Sequence, residues 1–110
     1  MTLEEKVVAV KTALEDRKAV DVRAYDVRGL SGFADAFVVA TGTAEPHLKG
    51  LANGVLADLK ERGFEAYRPR GAAQGGWTVL DYVDVVVHLF TPEARAYYAL
   101  EKLWATAQSL

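Results

Sequence analysis

The run Val85-Val86-Val87-His88-Leu89-Phe90 constrains the fold of this chain more than any other segment, because it is too apolar to lie anywhere but in a core. A second run, Phe37-Val38-Val39-Ala40 within 34–41, is apolar on both faces, as expected of a central strand. Upstream of the first run, Gly76-Trp77-Thr78-Val79-Leu80 leads into Asp81-Tyr82-Val83-Asp84, whose acids cannot share that burial cheaply unless something pairs with them. Two apolar runs therefore meet at a short acidic and aromatic junction. That junction is where function is expected.

The remaining elements fall around these strands. Thr2 followed by Glu5 is a capping-box pattern, and Leu3, Val7, Val10 and Leu14 recur at helical spacing up to Asp16-Arg17-Lys18. Residues 20–27 read as a strand, ended by Arg28-Gly29-Leu30-Ser31-Gly32, whose glycines mark a turn. After Gly42-Thr43, a second helix buries Leu48, Leu51, Ala52, Val55, Leu56 and Leu59 and stops at Gly63. Phe64-Glu65-Ala66-Tyr67-Arg68 reads as the next strand, and a strand-helix-strand unit of this kind is expected to cross over right-handedly with its strands parallel. Residues 69–76, with one proline and three glycines, read as a surface loop. Residues 77–80 and 85–90 are close enough to form an antiparallel hairpin through 81–84. Thr91 and Pro92 supply a cap and a first-turn proline for a last helix carrying Tyr97, Tyr98, Leu100, Leu103 and Trp104. The expected fold is α/β, one domain over residues 1–110, with a mixed five-stranded sheet, packed helices and the order αββαβββα.

Charge and composition narrow the function. With 15 acids against 13 bases the chain lacks the basic balance of a direct nucleic-acid binder, and a basic protein is the more natural partner. The absence of cysteine excludes a disulfide framework and thiolate chemistry, and suits a reducing cytosol. The acidic start Met1-Thr2-Leu3-Glu4-Glu5 has no hydrophobic signal region, and no apolar run approaches the ~20 residues of a membrane span. A cytoplasmic protein is expected.

Several polar clusters are candidates for chemistry. Asp81 and Asp84 near a strand junction could hold a divalent metal for nucleotidyl transfer, with Gly75-Gly76 just upstream. Side chains three apart on extended backbone point to opposite faces, however, which favours turn-forming or partner-binding aspartates. The turn Ala40-Thr41-Gly42-Thr43 could cradle an anion, but Glu45 would repel it, so a structural turn is favoured. His88 reads as a semi-buried histidine held by one hydrogen bond, His47 sits near a helix start with no acid or nucleophile visibly arranged with either ring, and Arg68-Pro69-Arg70 reads as a solvated rim. Trp77 opens a strand directly after two glycines, at the end of the sheet where full burial is hard. Exposed Trp and Tyr beside acids are the composition of an interface hot spot, and a core tryptophan is the alternative reading of Trp77.

Three motifs together carry a resemblance. Asp26-Val27-Arg28-Gly29-Leu30-Ser31-Gly32-Phe33-Ala34-Asp35-Ala36-Phe37-Val38-Val39-Ala40-Thr41-Gly42-Thr43, the 76–90 segment, and Pro92-Glu93-Ala94-Arg95 through Tyr98 and Leu100-Glu101-Lys102-Leu103-Trp104 look like the ribosomal silencing factor family RsfS, also called Iojap. The resemblance implies a nucleotidyltransferase-like fold without enzymatic activity or cofactor. It also implies a factor that binds the fourteenth protein of the large ribosomal subunit, blocks joining of the small subunit, and lowers translation when nutrients are scarce. Carried over by position, Trp77 and Leu80 are implied as apolar anchors, Asp81, Tyr82 and Asp84 as polar or charged contacts, and Glu93 and Tyr98 as secondary contacts. Two positions depart from the family pattern. Val83 stands where the family commonly has glycine, and Ala44-Glu45-Pro46-His47 replaces a Ser-x-Arg-His. The competing readings are a metal-dependent nucleotidyltransferase and a homodimeric scaffold built on a helix face or a sheet edge.

Overall fold

A computed structural model describes residues 2–30, 34–66, 68–104 and 107–110, with 68–74, 103–104 and 108 as backbone only. Helix α1 (Leu3–Asp16) begins with the reciprocal capping box: Thr2 Oγ1 accepts from the Glu5 amide at 3.1 Å, and Glu5 Oε1 accepts from the Thr2 amide at 3.0 Å. Its stripe of Val7, Val10 and Leu14 is buried. Helix α2 (Glu45–Glu61) buries Leu48, Leu51, Ala52, Val55 and Leu59 on the same side of the sheet. Because strand side chains alternate, Ala36, Val38, Ala40, Val85, Val87 and Leu89 meet these two helices, while Phe37, Val39, Val86 and Phe90 point the other way. Among the described residues, Ala94, Tyr98, Leu100 and Ala107 near the C-terminus pack on that second face.

The sheet has six strands in the order β3-β4-β5-β2-β1-β6, one more than expected from sequence. Its continuous body is β1 (Val20–Asp26), β2 (Ala36–Thr41), β4 (Trp77–Asp81) and β5 (Val85–Phe90). β2 and β5 are parallel, in unbroken register from Ala36↔Val85 to Thr41↔Phe90, and both are buried at every residue. β4 and β5 form the expected antiparallel hairpin. The two-residue β6 (Gln108–Ser109) pairs with the far edge of β1, too short to be visible in sequence.

Three expectations are corrected. The strand after α2 is β3 (Arg68–Gln74), displaced from 64–68 into the segment read as a loop. Pro69 and the glycines suggested a break, but β3 is an edge strand with two register shifts, where a missing N–H is tolerated. β3 does run parallel to β2, since it is antiparallel to β4, β4 is antiparallel to β5 and β5 is parallel to β2, but the two strands do not pair: β4 and β5 lie between them. Both sides of β2 are already occupied, by β1 and β5. The last helix is broken as well: α3 (Pro92–Tyr98) starts at Thr91, whose Oγ1 accepts from the Ala94 amide, and ends at Ala99 with φ 47° before a 3₁₀ turn (Leu100–Trp104). The side chains of Leu103 and Trp104, and the turn residues Ser31 and Gly32, lie outside the described residues.

Candidate functional site

Alternation along β4 divides the expected contact residues between two faces. Leu80 and Tyr82 point toward α1 and α2, with exposures of 0% and 4%. Their assignment as partner contacts is therefore corrected: Leu80 is a core residue, and the Tyr82 ring is packed beside it. Burial also pushes the Tyr82 phenol up to about 12. Trp77, Val79 and Asp81 stand opposite Phe90, His88 and Val86 on the other face, and all three are half-buried.

Trp77 is the centre of that face. Gly76, at φ 82°, turns the chain out of β3, and its carbonyl accepts from the Thr91 amide at 2.9 Å, which seats the start of β4 beside the start of α3. A β-carbon on Gly76 would lie 2.7 Å from Thr91 Oγ1, so the approach requires glycine. The indole then stacks on Phe90 (centroids 5.3 Å, 28°) and packs against Tyr98 at 4.8 Å. Its Nε1–H donates to His88 Nδ1 at 3.3 Å. Tyr97, 82% exposed, stands edge-on to Tyr98 at 5.1 Å and extends the aromatic surface outward. Glu93 is exposed on the first turn of α3. Trp77, Asp81 and Tyr98 thus share one side of the sheet, with Glu93 on the helix that flanks it.

α3 is fastened by Arg95. Its guanidinium donates to both carboxylate oxygens of Glu101 (2.8 and 3.1 Å), to Thr41 Oγ1 at 2.8 Å and to the Asp21 carbonyl at 2.8 Å. The Tyr25 hydroxyl donates to Glu101 as well. The Arg95 hydrogen bonds hold the Glu101 carboxyl below the usual carboxylate range. Four elements are tied together by this network, so the aromatic face rests on a fixed support.

The tip of the β4–β5 hairpin is equally constrained. Asp81 Oδ1 accepts from the Val83 amide at 2.8 Å, and the Tyr82 carbonyl accepts from the Asp84 amide at 2.9 Å, closing a three-residue turn around Val83. Val83 has φ 73° and is 60% exposed. The Asp84 carboxylate accepts from Lys6 Nζ at 2.8 Å, and that ammonium also lies 4.8 Å from the centre of the Phe64 ring. Asp84 is therefore engaged on the α1 side, away from Trp77. Each aspartate serves a different part of the protein, and among the described residues no group of three or more His, Asp or Glu could share a metal ion.

His47 joins the two helices: its Nδ1 accepts from the Thr43 amide at 2.9 Å, and its Nε2 lies 2.9 Å from the Arg17 carbonyl. The side chains of Arg68 and Arg70 lie outside the described residues. Sequence reasoning passed over Val79 and Tyr97 as parts of the face. The two-residue spacing from Trp77 through Val79 to Asp81 carried the signal for the first, whereas the exposure of Tyr97 depends on where α3 breaks.

Comparison with known proteins places the chain in a family. The whole chain, residues 1–110, matches the family described as "Ribosomal silencing factor during starvation". The ribosomal silencing factor RsfS of Halalkalibacterium halodurans is 36% identical over 110 residues, spanning 100% of this chain and 94% of that protein. The chloroplastic protein Iojap of Zea mays is 31% identical over 100 residues, 91% of this chain and 43% of its own length. A crystal structure of a Chromobacterium violaceum protein superposes with a TM-score of 0.90 at 36% identity, covering 96% of this chain and 88% of that one.

Proposed function

Because this chain belongs to the ribosomal silencing factor family, we propose that it represses translation under nutrient limitation by docking on the fourteenth protein of the large ribosomal subunit and keeping the small subunit off. The observation that carries the reading is the face built by Trp77, Val79, Tyr97 and Tyr98, with Asp81 at one end and Glu93 alongside. A well-packed aromatic anchor beside acids suits a basic ribosomal protein, the aromatics supplying affinity and the acids steering and register. Tyr82 and Leu80 support this face from beneath. Asp84 contributes by holding the hairpin tip to α1.

Blocking requires only bulk. The molecule measures 33 × 31 × 22 Å, so in any orientation it spaces two docked surfaces by about its smallest extent. The reading needs no catalysis and no cofactor, and it places the protein with ribosomes in the cytoplasm. No helix among the described residues is long and apolar enough to cross a membrane. The nucleotidyltransferase-like shape implied by the family is, in this reading, a likeness of fold alone. Asp81 is spent on the Val83 amide and Asp84 on Lys6, which gives nucleotidyl transfer little support.

The test is sedimentation of mixed ribosomal subunits with and without the protein. Separate subunits are expected to persist with it, and Trp77→Ala together with Asp81→Lys should weaken large-subunit binding by at least about 30-fold, the scale of one hot-spot residue. Undisturbed joining at saturating protein, or unchanged binding by the double variant, would refute the proposal.

A further inference from the structure

His88 is the one polar ring in a strand that is otherwise Val, Leu and Phe, and it is nearly as buried as its neighbours. Core packing does not account for it, because an apolar side chain would fill the same place without desolvating an imidazole. Its surroundings suggest another reason. The edge of the ring meets Phe37 (centroids 5.1 Å, 82°), its flank lies 6.4 Å from Phe90, and Val79 is its cross-strand partner. On its outward side Trp77, whose indole leans back along β4 from its place opposite Phe90, donates to Nδ1.

We propose that His88 is a positioning residue for docking: its Nδ1 lone pair holds the Trp77 indole in one orientation, so the aromatic face is ordered before a protein partner arrives. The inference rests on the reading of Trp77 as a docking anchor. An exposed tryptophan ring samples several rotamers, and a partner must then restrict it on binding. A ring already stacked on Phe90 and Tyr98, with its N–H directed into the sheet, has little of that freedom left. Phe90 and Tyr98 fix the plane of the indole but leave it free to flip. A directional acceptor beneath the N–H selects between the two flips, which an apolar residue at position 88 cannot do. The bond also fixes the imidazole tautomer, with Nδ1 bare and the proton on Nε2. Burial favours that neutral form by lowering the affinity of the ring for a second proton.

Two measurements on the intact protein test this. In nitrogen-15 spectra of the free protein at neutral pH, His88 should show a bare, hydrogen-bonded Nδ1, and the Trp77 indole proton should exchange with solvent well below the rate of an exposed tryptophan. A protonated Nδ1, or a freely exchanging indole, overturns the positioning role whatever the ribosome does. In large-subunit binding, His88→Phe should weaken affinity about three- to ten-fold, the scale of ordering one side chain. His88→Asn, which restores an acceptor near Nδ1, should recover most of the loss. In a Trp77→Ala background, His88→Phe should have no further effect. An equal loss in both backgrounds would mean that the residue acts on the fold rather than through Trp77, and would overturn the inference. No loss from Trp77→Ala itself would instead refute the docking reading, and the role for His88 with it.

Discussion

Replacing Val83 by glycine should make this protein more stable, although it removes a side chain. Val83 is a β-branched residue at φ 73°, where an L side chain costs about 1–2 kcal/mol and a branched one is more crowded still. The conformation is imposed by three hydrogen bonds around it: Asp81 Oδ1 to the Val83 amide, the Tyr82 carbonyl to the Asp84 amide, and the Tyr82 amide to the Val85 carbonyl. Glycine removes the steric cost. Against that gain stands the greater freedom of glycine in the unfolded chain, about 0.5–1 kcal/mol, and a small loss of apolar contact from a side chain already 60% exposed. With the strain at the upper end of its range, the net gain is about 1 kcal/mol. For 110 residues that raises the melting temperature by about 4 °C. Thermal melts of the wild type, Val83→Ala and Val83→Gly should rise in that order, since alanine relieves the branching but not the handedness. A glycine variant that melts at or below the wild type would show that the tip is not strained in this way.

Leu80→Ala should cost about 2–4 kcal/mol in a denaturant titration, because it opens a cavity under α1 and α2, whereas Val79→Ala on the other face should cost much less. Equal costs would contradict the assigned faces of β4. Lys6→Met should cost about 1 kcal/mol: the stem still packs on Phe64, but the partly exposed Asp84 carboxylate loses its partner. No change in the urea midpoint would count against that pair. Acid stability should report on His88, whose pKa is lowered to about 4 by burial among Phe37, Val79 and Phe90. An unfolded histidine titrates near about 6.5, so below that pH the unfolded state binds a proton that the native state refuses. Stability is therefore intact above about pH 7 and falls as pH drops toward 4, by about 2 kcal/mol at pH 5. His88→Phe should flatten the unfolding free energy between pH 7 and 5, and an unchanged slope would refute the assignment.

The legible parts of this fold were those where one physical signal acts alone. The capping box at Thr2 and Glu5, the stripes of α1 and α2, and the doubly apolar runs of β2 and β5 each follow from local chemistry, and each stands where the residues placed it. β3 was misread because Pro69 and the glycines argue against a strand, while pairing to β4 at an edge overrides local preference. The helix break at Ala99 has no proline or glycine to announce it. On β4, Trp77 stands on one face of the sheet while Leu80 and Tyr82, which the resemblance groups with it, stand on the other, because a strand sends neighbours to opposite faces. Val83 was legible as a conflict before the structure showed its form, because a position that suits glycine was filled by valine.

The parallel contact between β2 and β5 also governs when this protein can exist. It unites residues 36–41 with 85–90 at the centre of the sheet, whereas β1–β2 and β4–β5 each join consecutive strands. Closing the long intervening loop is paid in chain entropy before any central contact repays it, so the local pairs should assemble first and the middle last. During synthesis β2, although paired with β1, then lacks its central partner β5 until residue 90 has left the ribosome, and α3 follows later still. Nascent chains halted before that point should be cleaved by protease throughout, and chains extended beyond α3 should resist. If it acts on ribosomes as proposed, the protein is by its own topology inert on the ribosome that is making it until its synthesis is nearly complete.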